Sequence, residues 1–430
     1  MSPLTRLPGS LASLKLNWTT ALVVSVCVVD SVTIAYDGSL MGSLNVMETY
    51  HNYFQLTTTT TAINTCATFL GAILVGPKSG LWAAVAINIL GAVLAGSAIN
   101  VAMFIAARIV IGVGVGLGQT AASTYVAETT APRIRSFALG LYFSCWAVGA
   151  LLAAGVSYGC STLEPSNASW RIPSYLQGAM PLLIVPLLYY IPESPRWLAF
   201  RDRREEARLL HRSTTEKAQS MSLKAIVRKP NRRRLLLALS VAPLAMLTGS
   251  NVITYYFGSM LTQAGIGNPT TQLQINVVLS SWQLVVAITG SSLAEKLGRR
   301  FLALFSLGTC SAFFYILAGL TAKYGTAGDK AGTYGTVACI FLFLGAYAFG
   351  ITPLTAMYAP RGPVVQHARQ WNRDAGILIK SCGVLVTLAF PYMLESIGWK
   401  SYIINASWNI LLWLYIWFQW VETKDSHLKR

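Results

Sequence analysis

Charge is what this sequence has least of. Only 11% of its 430 residues are Asp, Glu, Lys or Arg, against 54% hydrophobic, a balance that excludes both an ordinary soluble domain and a disordered chain. Acids are the scarcer sign, with 16 Asp and Glu facing 33 Lys and Arg for a formal charge of +17. The basic residues fall between apolar runs rather than on a polar face, so the excess does not point to nucleic acid. Four histidines and seven cysteines show no CxxC pair and no ligand spacing. No metal centre, disulfide framework or cofactor is expected, and the cysteines read as small core residues. A phosphate-cradling glycine loop and a nucleophile constellation are both missing, so neither an ATP-driven pump nor an enzyme is expected.

Apolar runs, by contrast, recur along almost the whole chain. Crossing the hydrocarbon layer takes about 20 mostly apolar residues in a helix, and such stretches lie near 18–40, 56–76, 81–99, 102–125, 137–159, 174–191, 235–262, 274–295, 301–322, 333–358, 373–393 and 401–421. They are too long for barrel strands, so each must satisfy its own backbone as a helix. The fold class is therefore an all-α membrane protein of 12 transmembrane helices in two six-helix halves. The expected division is a cytoplasmic N-terminus 1–17, a first half 18–191, a basic linker 192–234, a second half 235–421 and a tail 422–430. The linker carries thirteen Lys and Arg and an amphipathic stretch, Asp202 to Leu210, that reads as a helix on the membrane surface.

Basic residues set the orientation. With the N-terminus inside, external loops hold only Arg171, Lys323, Lys330 and Lys400, and the spans hold Arg108 and Lys380, leaving 27 of the 33 on the cytoplasmic side. Both termini are then cytoplasmic, and Asn167-Ala168-Ser169 falls in an external loop as a glycan acceptor must.

Several motifs, at these spans and in this order, resemble the sugar porter family of the major facilitator superfamily, closest to its fungal hexose and lactose-permease-like branch. They are Tyr36 to Gly42, Arg108 with Gly112, Gly114 and Gly116, Tyr125 and Glu128 leading to Pro132 and Arg135, Trp170 to Pro173, and Pro192-Glu193-Ser194-Pro195-Arg196-Trp197-Leu198. The second half adds Gly249, Asn251, Tyr255 and Tyr256, then Gly298-Arg299-Arg300, Thr352-Pro353-Leu354 and Glu422-Thr423-Lys424. The resemblance implies two halves that rock about a central site near the midplane. It also implies a charged cytoplasmic latch made by Glu128, Arg135, Glu193, Arg196, Glu295, Arg299 and Arg300, whose pairs form in one state and break in the other.

Asp30 and Asp37 are the only acids of the first span and, seven residues apart, share one helical face. A lone carboxylate in a membrane is costly. Counted from the span ends, Asp37 and Arg108 lie at similar depth, and the resemblance implies that they pair and that protonation of Asp37 loosens the pair. Asp30 is either a proton relay or a helix contact. Asn251, Tyr255 and Tyr256 offer the aromatic faces and amide that suit a polyhydroxylated ring, with Gln177, Trp282 and Gln283 as further candidates. Lys380 lies outside the family pattern. It must face the cavity, snorkel or pair with an acid, which brings in an anionic substrate as an alternative.

The chain also departs from that pattern. Gly76-Pro77 runs directly into Lys78 where the family has an acidic Gly-Arg-Arg/Lys loop, Ala245-Met246 stand where a paired glutamine is common, and Ser144-Cys145-Trp146 replace another glutamine. The expected function is a monomeric secondary transporter in the plasma membrane, coupled to protons and moving a sugar or related polyhydroxylated solute by alternating access. A carrier or exporter of a metabolite or organic acid is the alternative within transport. A transport-deficient sensor or remnant is the alternative outside it, disfavoured by the short tail.

Overall fold

The computed structural model describes residues 18–70, 77–130, 138, 140–191, 240–324, 330–357 and 368–420. The first half runs α1 (Trp18–Leu44), α2 (Glu48–Phe54), α3 (Thr58–Leu70), α4 (Pro77–Gly96), α5 (Val101–Thr129), α6 (Trp146–Ser161), α7 (Ala168–Leu176) and α8 (Ala179–Tyr190). The second runs α9 (Val241–Met246), α10 (Ser250–Gln263), α11 (Pro269–Leu297), α12 (Arg299–Tyr324), α13 (Lys330–Met357), α14 (Ala368–Ile397) and α15 (Lys400–Gln419). No strand occurs among the described residues. With α7 and α8 forming one span and α9 and α10 another, twelve spans result, and α2 is a short extra helix between the first two.

Eight helices among the described residues are long and apolar enough to cross a bilayer, and Gly80–Gly96 is a shorter apolar helix. Local chemistry sets several ends. Asn100 caps α5 by accepting from the Met103 amide at 2.8 Å, and Asn268 caps α11 just before Pro269, whose missing N–H costs nothing in the first turn. The seventh span is broken because Gly249 sits at φ 109°, where a side chain is disfavoured. The sixth starts at Ala168, six residues before the apolar run suggests, because Trp170 is buried against Tyr50 and Phe54 of α2, at ring separations of 6.0 and 5.1 Å.

Within the first half α4 packs on α5, α3 on α5 and α1 on α6; within the second α12 packs on α13 and α15, and α11 on α13. Gly112 of α5 lets α3 approach so closely that a Cβ would fall 2.2 Å from the Thr68 carbonyl oxygen, which is how small residues join helices that lipid cannot drive together. The halves meet along α6 with α11, α3 with α14 and α1 with α10.

Hydrogen bonds tie the halves at the end of the bundle that carries Leu44 and Thr58. Asn45 Nδ2 donates to the Tyr255 carbonyl at 3.2 Å, Asn276 Nδ2 to Ser43 Oγ at 3.2 Å, Gln274 Nε2 to the Tyr158 hydroxyl at 3.1 Å, and the Tyr392 hydroxyl to Thr59 Oγ1 at 3.0 Å. Towards the other end Ser144 and Ser291 hydroxyls meet at 2.9 Å.

Candidate transport site

Asp37 projects from α1, two turns before its end at Leu44, into the first half, where Arg108 of α5 meets it. The guanidinium Nη1 donates to Asp37 Oδ1 as an ion pair, with the Arg108 side chain 1% exposed and that of Asp37 4%. At that burial each charge is tolerable only beside the other. Gln177 also donates to Asp37 Oδ1, at 2.7 Å. It lies where α7 passes into α8, at a junction that keeps helical dihedrals. Asp37 Oδ2 and Arg108 Nε have no hydrogen-bond partner among the described residues.

Asp30, two turns along α1, belongs to a different environment. Its Oδ2 accepts from the Tyr142 hydroxyl at 3.3 Å, and its Oδ1 faces α5 so closely that a Cβ on Gly118 would lie 2.6 Å away.

The residues after Asp37 face a cleft between the halves. A Cβ on Gly38 would stand 3.5 Å from the Trp146 ring and 3.6 Å from the Tyr255 hydroxyl. Beyond it a narrow cavity of about 30 Å³ is lined by Ser39, Trp146, Thr254, Asn276, Ser280 and Gln283, with Ala150, Ile253, Phe257, Leu279 and Leu344 as its apolar wall. Hydroxyls and amides around one indole face can bind a solute that is polar at its rim and apolar across its ring faces. They line a route between halves, and no reacting constellation is assembled there.

The residues singled out in the sequence divide accordingly. Tyr255 and Gln283 lie at the cleft, while Gln177 is spent on Asp37. Tyr256 is buried in the second half, its hydroxyl donating to the Thr387 carbonyl at 2.6 Å and its ring stacked on Phe390. Asn251 donates at 3.0 Å to the Met246 sulfur of the preceding helix. Trp282 points to α13, where its indole donates to the Phe341 carbonyl at 3.0 Å, and it does not line the cavity because it lies about 100° around α11 from Gln283. Sequence reading missed Ser39, Trp146, Asn276 and Ser280. The spacing of Asn276, Ser280 and Gln283, four and three residues apart, is the one signal that marked them as a shared polar face.

Lys380 of α14 places its Nζ 5.7 Å from the Phe69 ring centroid on α3, across the seam between halves. Arg300 donates to the Trp417 carbonyl at 2.5 Å and covers the Trp417 ring, tying α12 to α15. The other latch candidates are not placed. Arg135, Glu193 and Arg196 lie outside the described residues, as does the linker helix, and the side chains of Glu128, Glu295 and Arg299 are likewise outside them. Asn167 is exposed just before α7.

Two bundles of membrane-spanning helices around a polar cleft, with a buried ion pair beside it, define a multi-pass membrane carrier rather than an enzyme. Residues 23–430 match the family described as "Sugar (and other) transporter", and the chain belongs to that family. It is 26% identical to a high-affinity glucose transporter of Kluyveromyces lactis over 92% of this chain and 81% of that one. It is 25% identical to a probable quinate permease of Aspergillus clavatus over 96% and 87%. Among solved structures, the xylose transporter XylE from E. coli in a partially occluded inward-open conformation shares the fold at a TM-score of 0.78 and 19% identity, over 94% of this chain and 98% of that one. The 12-helix fold of the major facilitator superfamily and sugar-porter-type transport follow.

Proposed function

We propose that the chain is a proton-coupled symporter that takes up a small polyhydroxylated solute by alternating access, with halves 18–191 and 235–421 rocking about the cleft. The observation that carries this reading is the Asp37–Arg108 pair, placed next to the Gly38 and Ser39 backbone that borders the cavity. Neutralising Asp37 with a proton weakens its hold on Arg108 and frees α1 to move against α5. The solute, bound by Trp146, Asn276, Ser280 and Gln283 and flanked by Tyr255, is what the movement carries. The names of the relatives, a glucose transporter and a quinate permease, fit a cyclic polyol.

Under this reading both termini are cytoplasmic, the bundle end tied by Asn45, Gln274 and Asn276 is the external one, and the protein acts as a monomer in the plasma membrane. The latch residues Glu128, Arg135, Glu193, Arg196, Glu295, Arg299 and Arg300 then close the opposite end in the alternate state, and Asn167 is reachable by glycosylation.

The test is uptake of a labelled sugar and polyol panel in transporter-null yeast, with and without a protonophore. Accumulation that collapses with the protonophore is expected. Asp37→Asn is expected to retain exchange down a gradient and to lose accumulation; full proton-linked accumulation in that variant would overturn the coupling role.

A further inference from the structure

Lys380 carries a charge that the rest of the site does not answer. Its ammonium lies over Phe69 of the opposite half, and Phe69 in turn meets Tyr255 edge to face at 6.1 Å. Tyr255 stands beside Gly38, so the lysine reaches the same wall that holds the coupling acid, and it lies within electrostatic reach of Asp37. It is not snorkelling to the membrane surface, because its Nζ is directed across the seam onto α3.

Among the described residues no carboxylate comes within 4.0 Å of Nζ and no acceptor is hydrogen-bonded to it. The acid in reach, Asp37, already pairs with Arg108, which together with Gln177 holds its Oδ1 and leaves Oδ2 without a hydrogen bond. Asp30 is held by Tyr142 against α5. Two cations therefore share one carboxylate at the centre of the bundle. A ring face attracts an ammonium without accepting its three hydrogen bonds, and an uncompensated charge at membrane depth is kept where something passing through compensates it.

We infer that the transported solute bears a carboxylate, which Lys380 binds while its hydroxylated body occupies the cavity bordered by Trp146, Asn276, Ser280 and Gln283. This rests on the transport reading above and narrows its substrate to polyhydroxylated acids. The lysine selects by charge, and the uncharged amides and hydroxyls select the ring.

The test uses the full chain with a fluorescent C-terminal tag in transporter-null yeast. Uptake of labelled D-gluconate, D-galacturonate and quinate is compared with that of D-glucose and D-galactose. Wild-type protein is expected to take up at least one acid in preference to its neutral counterpart. Lys380→Met is expected to raise the KM for that acid by about tenfold or more, the loss of one charged contact, and to change the KM of any neutral sugar it takes up by much less. Lys380→Arg is expected to retain acid uptake.

Uptake of neutral sugars alone by the wild type would overturn this inference and leave the transport reading standing. Lys380→Met losing every solute alike, together with sensitivity to the protonophore, would make Lys380 a partner of Asp37 and also overturn it. No uptake of any probe by protein present at the cell surface would overturn the transport reading and this inference together.

Discussion

Gly42 of α1 and Thr254 of α10 touch through their backbones. A Cβ built on Gly42 would stand 2.0 Å from the Thr254 carbonyl oxygen, well inside van der Waals contact, so the two halves close at this end only because residue 42 has no side chain.

Gly42→Val is therefore expected to disfavour the closed arrangement of this end. Overpacking of about 1–3 kcal/mol against one of two states shifts their ratio by roughly 5- to 150-fold. Uptake should fall by about that factor at unchanged surface expression. In the wild type, a cysteine placed at Asn45 should be slow to react with an impermeant thiol reagent; in Gly42→Val it should react faster. Equal labelling in both proteins would show that the contact does not gate this end.

The Asp37–Arg108 pair predicts an asymmetry in stability. Arg108→Leu leaves a buried carboxylate without its cation, at a cost of about 3–5 kcal/mol, and should lower the melting temperature of the detergent-purified protein. The double variant Asp37→Asn with Arg108→Leu should recover most of that loss, because no unpaired charge remains. If the double variant melts as low as the single one, the loss came from packing.

Trp146 and Trp282 are both indoles near the cleft, and they should behave oppositely. Trp146→Ala removes cavity wall and is expected to raise the KM of the transported solute by about tenfold or more, the scale of a lost aromatic contact in a site. Trp282→Phe removes one hydrogen bond to the Phe341 carbonyl, worth about 1 kcal/mol of stability, and should leave KM within about twofold of wild type. Reversed effects would place the solute on the α13 side of α11.

At the break in the seventh span, Gly249→Ala must adopt φ 109° and place a Cβ 2.3 Å from the Phe314 ring. The backbone strain alone is about 1–3 kcal/mol. A lower melting temperature is expected, along with reduced expression, and unchanged thermal behaviour would mean that α9 and α10 can straighten into one helix.

The apolar pattern of the chain was enough to set the class of this protein. Apolar runs long enough to cross a bilayer must be helices, since a backbone in hydrocarbon has no other donor or acceptor than its own. The same economy marked Asp37 and Arg108, because two opposite charges at equal depth in separate spans have little choice but to find one another. What it did not determine was the rotation of each helix about its axis. A span that is apolar on every side has no polar face to declare which way it turns, so Trp282 and Tyr256 read as solute contacts, Trp146 read only as a replacement for a glutamine, and Asn276 and Ser280 passed unnoticed. Tertiary packing decided those rotations: Gly42 and Gly112 fixed where backbones could meet, the packing of α7 and α8 put Gln177 onto Asp37, and α14 brought Lys380 across to Phe69. Such contacts join residues more than forty positions apart in the chain, and a linear pattern of apolar residues does not encode them.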